Sequence, residues 1–189
     1  MDTKNLFIIS GPSGAGEDSV IKGLEKIMPV EYIVNTTTRQ MRSGEVDGKS
    51  YHFITKEQFE DGINKGKFVE WAKQYNGNLY GVTKAEIQRV AETGKIGIWK
   101  MEYKGVKTAK KLYPEIVAIF LNAQSLEILA DRIRKRDGVT EQYIQERMEY
   151  TKEWLKHTDI YDYTVINEEG KLDETIEKVA EIINKYITL

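Results

Sequence analysis

Apolar residues along this chain fall into short continuous runs that alternate with stretches at a helical spacing of about 3.6. Residues 6–10 (LFIIS) are a continuous apolar run, the pattern of a strand buried on both faces. After a glycine-rich turn, Val20, Ile21, Leu24, Ile27 and Met28 recur at helical spacing until Pro29 stops the pattern. Residues 32–34 read as a second short strand and 97–101 as a buried one. Residues 116–121, flanked by Pro114 and Asn122, are the clearest buried strand. Helical patterns cover 56–65, 84–93, 105–112, 126–136 and 140–155, with a break at Asp137-Gly138. A last strand at 164–167 precedes a closing amphipathic helix at 172–186 that covers the sheet.

Strands alternating with helices predict an α/β fold, a mostly parallel sheet with helices on both faces. The texture changes between residues 35 and about 90, which are polar, aromatic and turn-rich, with a turn signal at Asp47-Gly48. That block reads as an insertion into the core. The arginine-rich helices near 130–147 read as a mobile element over it.

The chain has 189 residues, enough for one domain with a real core. A net charge of −2 argues against a nucleic-acid coat or a polybasic membrane binder. With no cysteine, disulfides and thiolate metal sites are excluded. The opening apolar run is too short for a signal peptide or a membrane span, so a cytoplasmic protein is expected, without nucleic-acid or membrane partners.

The turn after the first strand, GPSGAGEDS, has the shape of a phosphate-binding loop. Glycines 11, 14 and 16 let backbone N–H groups turn inward at a helix N-terminus. The strict pattern asks for lysine after the second glycine and then a hydroxyl, but this chain has Glu17 and Asp18. A plain glycine turn with acids at a helix start is an equally good reading of the loop alone. The next segment, NTTTRQMRSGEVDGKSYHF, adds Arg39 and Arg42 three residues apart, with Tyr51 beyond a glycine turn. Two guanidinium forks and a phenol make a phosphate clamp.

The loop GPSGAG, then TTRQMRSGEVDGKSYHF, FVEWAKQYNGNLYG, KGVKTAKKLYP and the arginines up to Arg147, resembles the guanylate kinase family over nearly the whole chain. The resemblance implies a P-loop-type sheet with a nucleoside-monophosphate-binding insertion and a helical lid. The core would be about 1–34, 94–123 and 160–189, the insertion about 35–93 and the lid about 124–159. It implies phosphoryl transfer from MgATP to GMP, with Mg²⁺ accompanying ATP. Gly11, Ser13, Gly14, Ala15, Gly16, Glu17, Asp18 and Ser19 would then form the ATP-phosphate loop. Arg39, Arg42, Tyr51 and Tyr80 would hold the acceptor phosphate. Asn35, Glu70, Val82 and Glu102 would stand at the base, with Glu70 accepting from two guanine donors. Arg132, Arg136 and Arg147 would approach the transferring phosphates.

Several positions depart from the family's pattern. Glu17 replaces the loop lysine and Asp18 the hydroxyl. Lys100 stands where the first aspartate of an Asp-x-Asp pattern would be. Val82 replaces a Ser or Thr, and Asn35 a Ser. One site has lost a cation and the other gained one. Lys100 is therefore expected to pair with Glu17 and to supply the missing ammonium to the donor phosphates, leaving GMP affinity independent of it. Asp18 would hold Mg²⁺. Catalysis would rest on Lys100, Arg39, Arg132, Arg136 and Arg147. The alternatives are an inactive phosphopeptide- or nucleotide-binding module that keeps only the clamp, and a kinase for another monophosphate. His52 and His157 read as hydrogen-bonding surface residues. Trp71, Trp99 and Trp154 read as packing residues.

Overall fold

The computed structural model describes residues 4–74, 77–135 and 139–187. The chain begins with β1 (Leu6–Ser10), α1 (Glu17–Ile27), β2 (Val30–Tyr32), β3 (Thr36–Thr37), β4 (His52–Phe53) and α2 (Lys56–Asn64). It continues through β5 (Phe68–Lys73), β6 (Leu79–Thr83), α3 (Lys84–Glu92), β7 (Ile96–Lys100) and α4 (Tyr103–Leu112). β8 (Val117–Asn122), α5 (Leu126–Arg134), α6 (Glu141–Leu155), β9 (Tyr163–Ile166) and α7 (Leu172–Asn184) complete it.

Five strands form a parallel sheet in the order β2-β7-β1-β8-β9. β1 is buried on both faces because its alternate side chains enter two different cores. Phe7 and Ile9 join Val20, Leu24, Val179 and Ile183 under α1 and α7. Leu6 and Ile8 join Ile87, Val90, Val106 and Ala109 under α3 and α4. Each fully buried Val, Leu, Ile or Phe side chain among these contributes roughly 1.5–3 kcal/mol. α1 approaches α7 closely at Gly23, where an added Cβ would overlap Ile176. No helix among the described residues is long and apolar enough to cross a membrane.

The second strand lies earlier than the pattern suggests, at Val30–Tyr32 rather than 32–34. Ile33 N–H still reaches Ile98 O at 2.9 Å, but Val34 N–H is taken by the Glu86 carboxylate at 2.8 Å. A side chain thus ends the ladder and turns the chain out of the sheet. It then enters a second sheet, in the order β4-β3-β6-β5, which the sequence did not disclose. Two of its strands are only two residues long, so they carry no readable period.

The two arginine-rich helices form as α5 and α6. The C-terminal half of α6 is pinned to the core by Trp154, which packs with Tyr103 and Phe120. Trp154 Nε1 donates to Tyr161 Oη at 2.9 Å, that hydroxyl lies 2.9 Å from Ser10 Oγ, and Ser10 donates to Met101 O at 2.7 Å. Of the three tryptophans expected to pack, Trp99 and Trp154 are buried. Trp71 is 46 % exposed, because it follows the cavity-facing Glu70 on β5 and points to the opposite side.

Candidate active site

The C-terminal ends of β1 and β7, the start of α1 and the second sheet enclose a cavity of about 650 Å³. Gly11, Ser13, Gly14, Glu17 and Asp18 line it at one end. Gly14 and Gly16 hold left-handed φ values of 92° and 97°, which reverse the chain without the strain a side chain would add. Of the other loop positions, Ala15 is fully buried behind the cavity wall. The loop is braced from outside. Asn167 Nδ2, at the end of β9, donates to Ala15 O at 2.8 Å and its Oδ1 accepts from Thr175 at 3.3 Å. Arg132 donates to Gly14 O at 3.2 Å and to Asn167 O at 2.8 Å. Arg132 thus holds the loop's carbonyls in this structure and does not line the cavity.

Lys100 does reach the loop, but its partner differs from the one expected. Its ammonium donates to Asp18 Oδ1 at 2.5 Å, not to Glu17. Neighbouring residues on a helix point about 100° apart, so Asp18 meets the end of β7 while Glu17 lines the cavity in another direction. Burial works against the Lys100 charge, yet Tyr32, Asp18 and Tyr51 together raise its pKa above the usual lysine value. The ammonium therefore stays charged.

On the insertion side, Arg39 forms a two-pronged pair with Glu45, at 2.7 and 2.8 Å. Glu45 also accepts from Arg42 N–H at 2.7 Å. The Glu45 hydrogen bonds, with Tyr80 adding, raise the Arg39 pKa despite burial. The Arg39 guanidinium lies 5.2 Å from the Tyr51 ring centre and 5.5 Å from that of Phe53. Tyr51 meets Tyr80 edge-on at 5.9 Å. Arg39, Arg42, Tyr51 and Tyr80 all line the cavity. Glu45 stood in the quoted motif without a role, and its spacing from the two arginines was the signal for one.

The innermost wall carries the base-site candidates. Glu70 is only 8 % exposed, and no donor from the described residues is recorded on its carboxylate. Burial first and the nearby Glu102 charge second push its pKa up to about 7. Asn35 gives Nδ2 to Lys100 O at 2.8 Å, while its Oδ1 is buried without a partner. Val82 lies directly across from Glu70 in the β5–β6 register, but it is fully buried in the core under the strand and does not line the cavity. The strand face continues past the cavity floor at that point. Glu102 accepts from Gln74 at 2.7 Å and from Tyr150 of α6 at 2.7 Å, so it joins the end of β5 to α6. Arg147 lines the cavity from α6, with its guanidinium 5.0 Å from the Tyr143 ring centre. Arg136 lies outside the described residues.

The two histidines stand apart from this chemistry. His52 Nε2 is 3.5 Å from Glu86, and His157 stacks on Tyr103 at 4.9 Å. Among the described residues no cluster of three or more His, Asp or Glu forms a metal cage.

The glycine-rich loop, the arginines and phenols of residues 39–80 and the buried Glu70 carboxylate thus share one cavity. The family model for guanylate kinase matches residues 3–186. The chain belongs to the guanylate kinase family. It is 38 % identical over 180 residues to the guanylate kinase of Helicobacter pylori (strain ATCC 700392 / 26695), covering 95 % of this chain and 84 % of that one. It is 42 % identical over 167 residues to that of Clostridioides difficile (strain 630), covering 88 % and 81 %. A crystal structure of guanylate kinase from Anaplasma phagocytophilum superposes with a TM-score of 0.77 at 24 % identity, over 97 % of this chain and 86 % of that one, and supports the fold. The family makes the chain a nucleoside monophosphate kinase, and the reading as an inactive binding module is not favoured. At the glycine-rich loop of this chain, Lys100 pairs with Asp18, and Glu17 lines the same cavity.

Proposed function

We propose that the loop end of the cavity takes MgATP and the insertion end takes GMP, so that the γ-phosphoryl group passes to GMP, giving ADP and GDP. The observation that carries this reading is Glu70, an 8 % exposed carboxylate with no recorded donor of its own among the described residues. Guanine presents N1–H and its exocyclic amine along one edge, and a carboxylate accepts both. Adenine has no N1–H to offer. Asn35 spends one Nδ2 proton on Lys100 O and keeps the other for the guanine carbonyl. Val82, sealed in the core, takes no part in reading the base.

Arg39, Arg42, Tyr51 and Tyr80 hold the GMP phosphate, and Glu45 orients the two arginines. Lys100 supplies the ammonium that position 17 lacks, and Arg147 with Arg136 closes from the lid. Arg132 serves by holding the loop. Phosphoryl transfer needs in-line positioning and charge neutralisation more than covalent chemistry, and each donor aimed at the transferring oxygens is worth about 10²–10³ in rate. Magnesium enters with the nucleotide and neutralises phosphate charge. Asp18, on the first turn of α1 with its side chain 74 % exposed, is the loop carboxylate that fits it. Residues 35–93 act as the acceptor-binding unit, 124–159 as the lid and the remainder as the core. Diffusible nucleotide substrates suit a cytoplasmic enzyme.

The test is ADP release by the purified protein with MgATP and each nucleoside monophosphate in turn. Turnover with GMP well above the others is expected. No turnover with any acceptor would overturn the assignment, and equal turnover with AMP would overturn the role of Glu70.

A further inference from the structure

Lys100 is tied to both halves of the cavity at once. Its backbone carbonyl accepts from Asn35, on the segment entering the second sheet, and its ammonium donates to Asp18 at the start of α1. The side chain is 24 % exposed and its Asp18 partner 74 %, so Asp18 is the member of the pair free to turn away. Tyr32 and Tyr51 line the same cavity as Lys100. Tyr51 in turn lies beneath Arg39 and against Tyr80. A lysine immediately after Gly16 would rise from the loop and face the donor alone. Lys100 comes from the end of β7, between loop and clamp, with Ile9 of β1 as its register partner.

We infer that Lys100 is a ligand shared by the two substrates: Asp18 holds its ammonium in the empty site, the GMP phosphate takes Asp18's place, and the ammonium then stands between acceptor and donor phosphates. This rests on the reading of the cavity as a GMP kinase site. The exchange is favourable because a phosphomonoester carries about −1.5 to −2 charge at pH 7 and three acceptor oxygens, against one exposed carboxylate. Relocating the lysine therefore changes its task from serving the donor to coupling the two phosphates. Asp18 becomes a competitor of substrate, whereas the Arg39–Glu45 pair, with Arg39 only 10 % exposed, is a fixed part of the clamp.

The test is calorimetric binding of GMP, and of guanosine as a phosphate-free control, without ATP or metal. The proteins are the wild type, Asp18→Asn, Lys100→Met and the double variant, each checked for an unchanged thermal melt. Asp18→Asn is expected to tighten GMP binding about threefold to tenfold, the worth of a partly screened competing ion pair. Lys100→Met is expected to weaken it about tenfold, as for a lost charge-assisted hydrogen bond. The Asp18→Asn gain should vanish in the Lys100→Met background, and guanosine binding should not respond to any of them. Unchanged GMP affinity in Lys100→Met would overturn the shared role and leave Lys100 to the donor alone. An undiminished Asp18→Asn gain in the double variant would overturn the competition and leave only a diffuse charge effect. Wild-type protein that binds neither GMP nor guanosine would refute the underlying GMP-site reading, a result distinct from both.

Discussion

The cations of this site and its deepest carboxylate are treated in opposite ways. Lys100 and Arg39 already hold carboxylates of the same chain, Asp18 and Glu45. Glu70 lies buried beside another acid with no recorded donor of its own, its pKa pushed up to about 7 by burial and by Glu102. A cation in a partly closed cleft can be matched by a nearby acid that gives way to phosphate. An open carboxylate deep in the wall cannot be matched in this way without filling the base site. On the proposed reading, the phosphate end is stabilised before substrate arrives, and the base end is kept at a cost that guanine would remove.

The largest expected break in that contrast is Glu70→Gln. Losing one of two charge-assisted acceptors should lower kcat/KM for GMP by about 10²-fold, read by steady-state kinetics. A change of less than threefold would mean that Glu70 does not face the base. The same residue sets a pH dependence of the empty protein. Its folded pKa is raised above the unfolded value, so its favourable contribution is complete below about 4.5 and lost as pH climbs through about 7. Relative to Glu70→Gln, the wild type should lose on the order of 2–3 kcal/mol across that window, measured by denaturant unfolding at fixed pH values. A flat difference would show that Glu70 is ionised at little cost.

Asn167→Leu tests the bracing of the loop. It orphans Ala15 O, while the Thr175 hydroxyl keeps its bond to Lys171 O, and should cost about 2 kcal/mol, with the KM for ATP rising more than that for GMP. Glu45→Ala separates the two carboxylate–cation pairs. If Glu45 orients Arg39, GMP binding weakens about fivefold, opposite in sign to the effect of removing the Asp18 charge. Equal signs would erase the distinction between a fixed pair and a displaceable one. The smallest effect is expected at Tyr161→Phe, which breaks the link from Trp154 to Ser10. It should cost about 1 kcal/mol in a thermal melt and leave KM for both substrates nearly unchanged.

Legibility differed between elements for identifiable reasons. The parallel core was readable because both-face burial writes continuous apolar runs at β1, β7 and β8. The second sheet was not, because Thr36–Thr37 and His52–Phe53 are too short to show alternation. That Arg39, Arg42 and Tyr51 share one site was readable from their spacing and glycine turns, whereas Arg132 looked like a lid residue until its hydrogen bonds to Gly14 and Asn167 gave it to the loop. Val82 was placed at the base by resemblance. Register puts it opposite Glu70, and burial removes it from the cavity.

By itself the sequence determined the α/β core, the glycine-rich turn after β1 and the family, because these rest on local spacing and on contiguous motifs. Beside the guanylate kinase resemblance, it also put an acid at position 17 and a lysine at position 100. Which acid would meet that cation was decided only by the tertiary structure. Glu17 and Asp18 are adjacent in the chain and alike in charge, and only the angle at which α1 meets the end of β7 turns Asp18, not Glu17, toward Lys100.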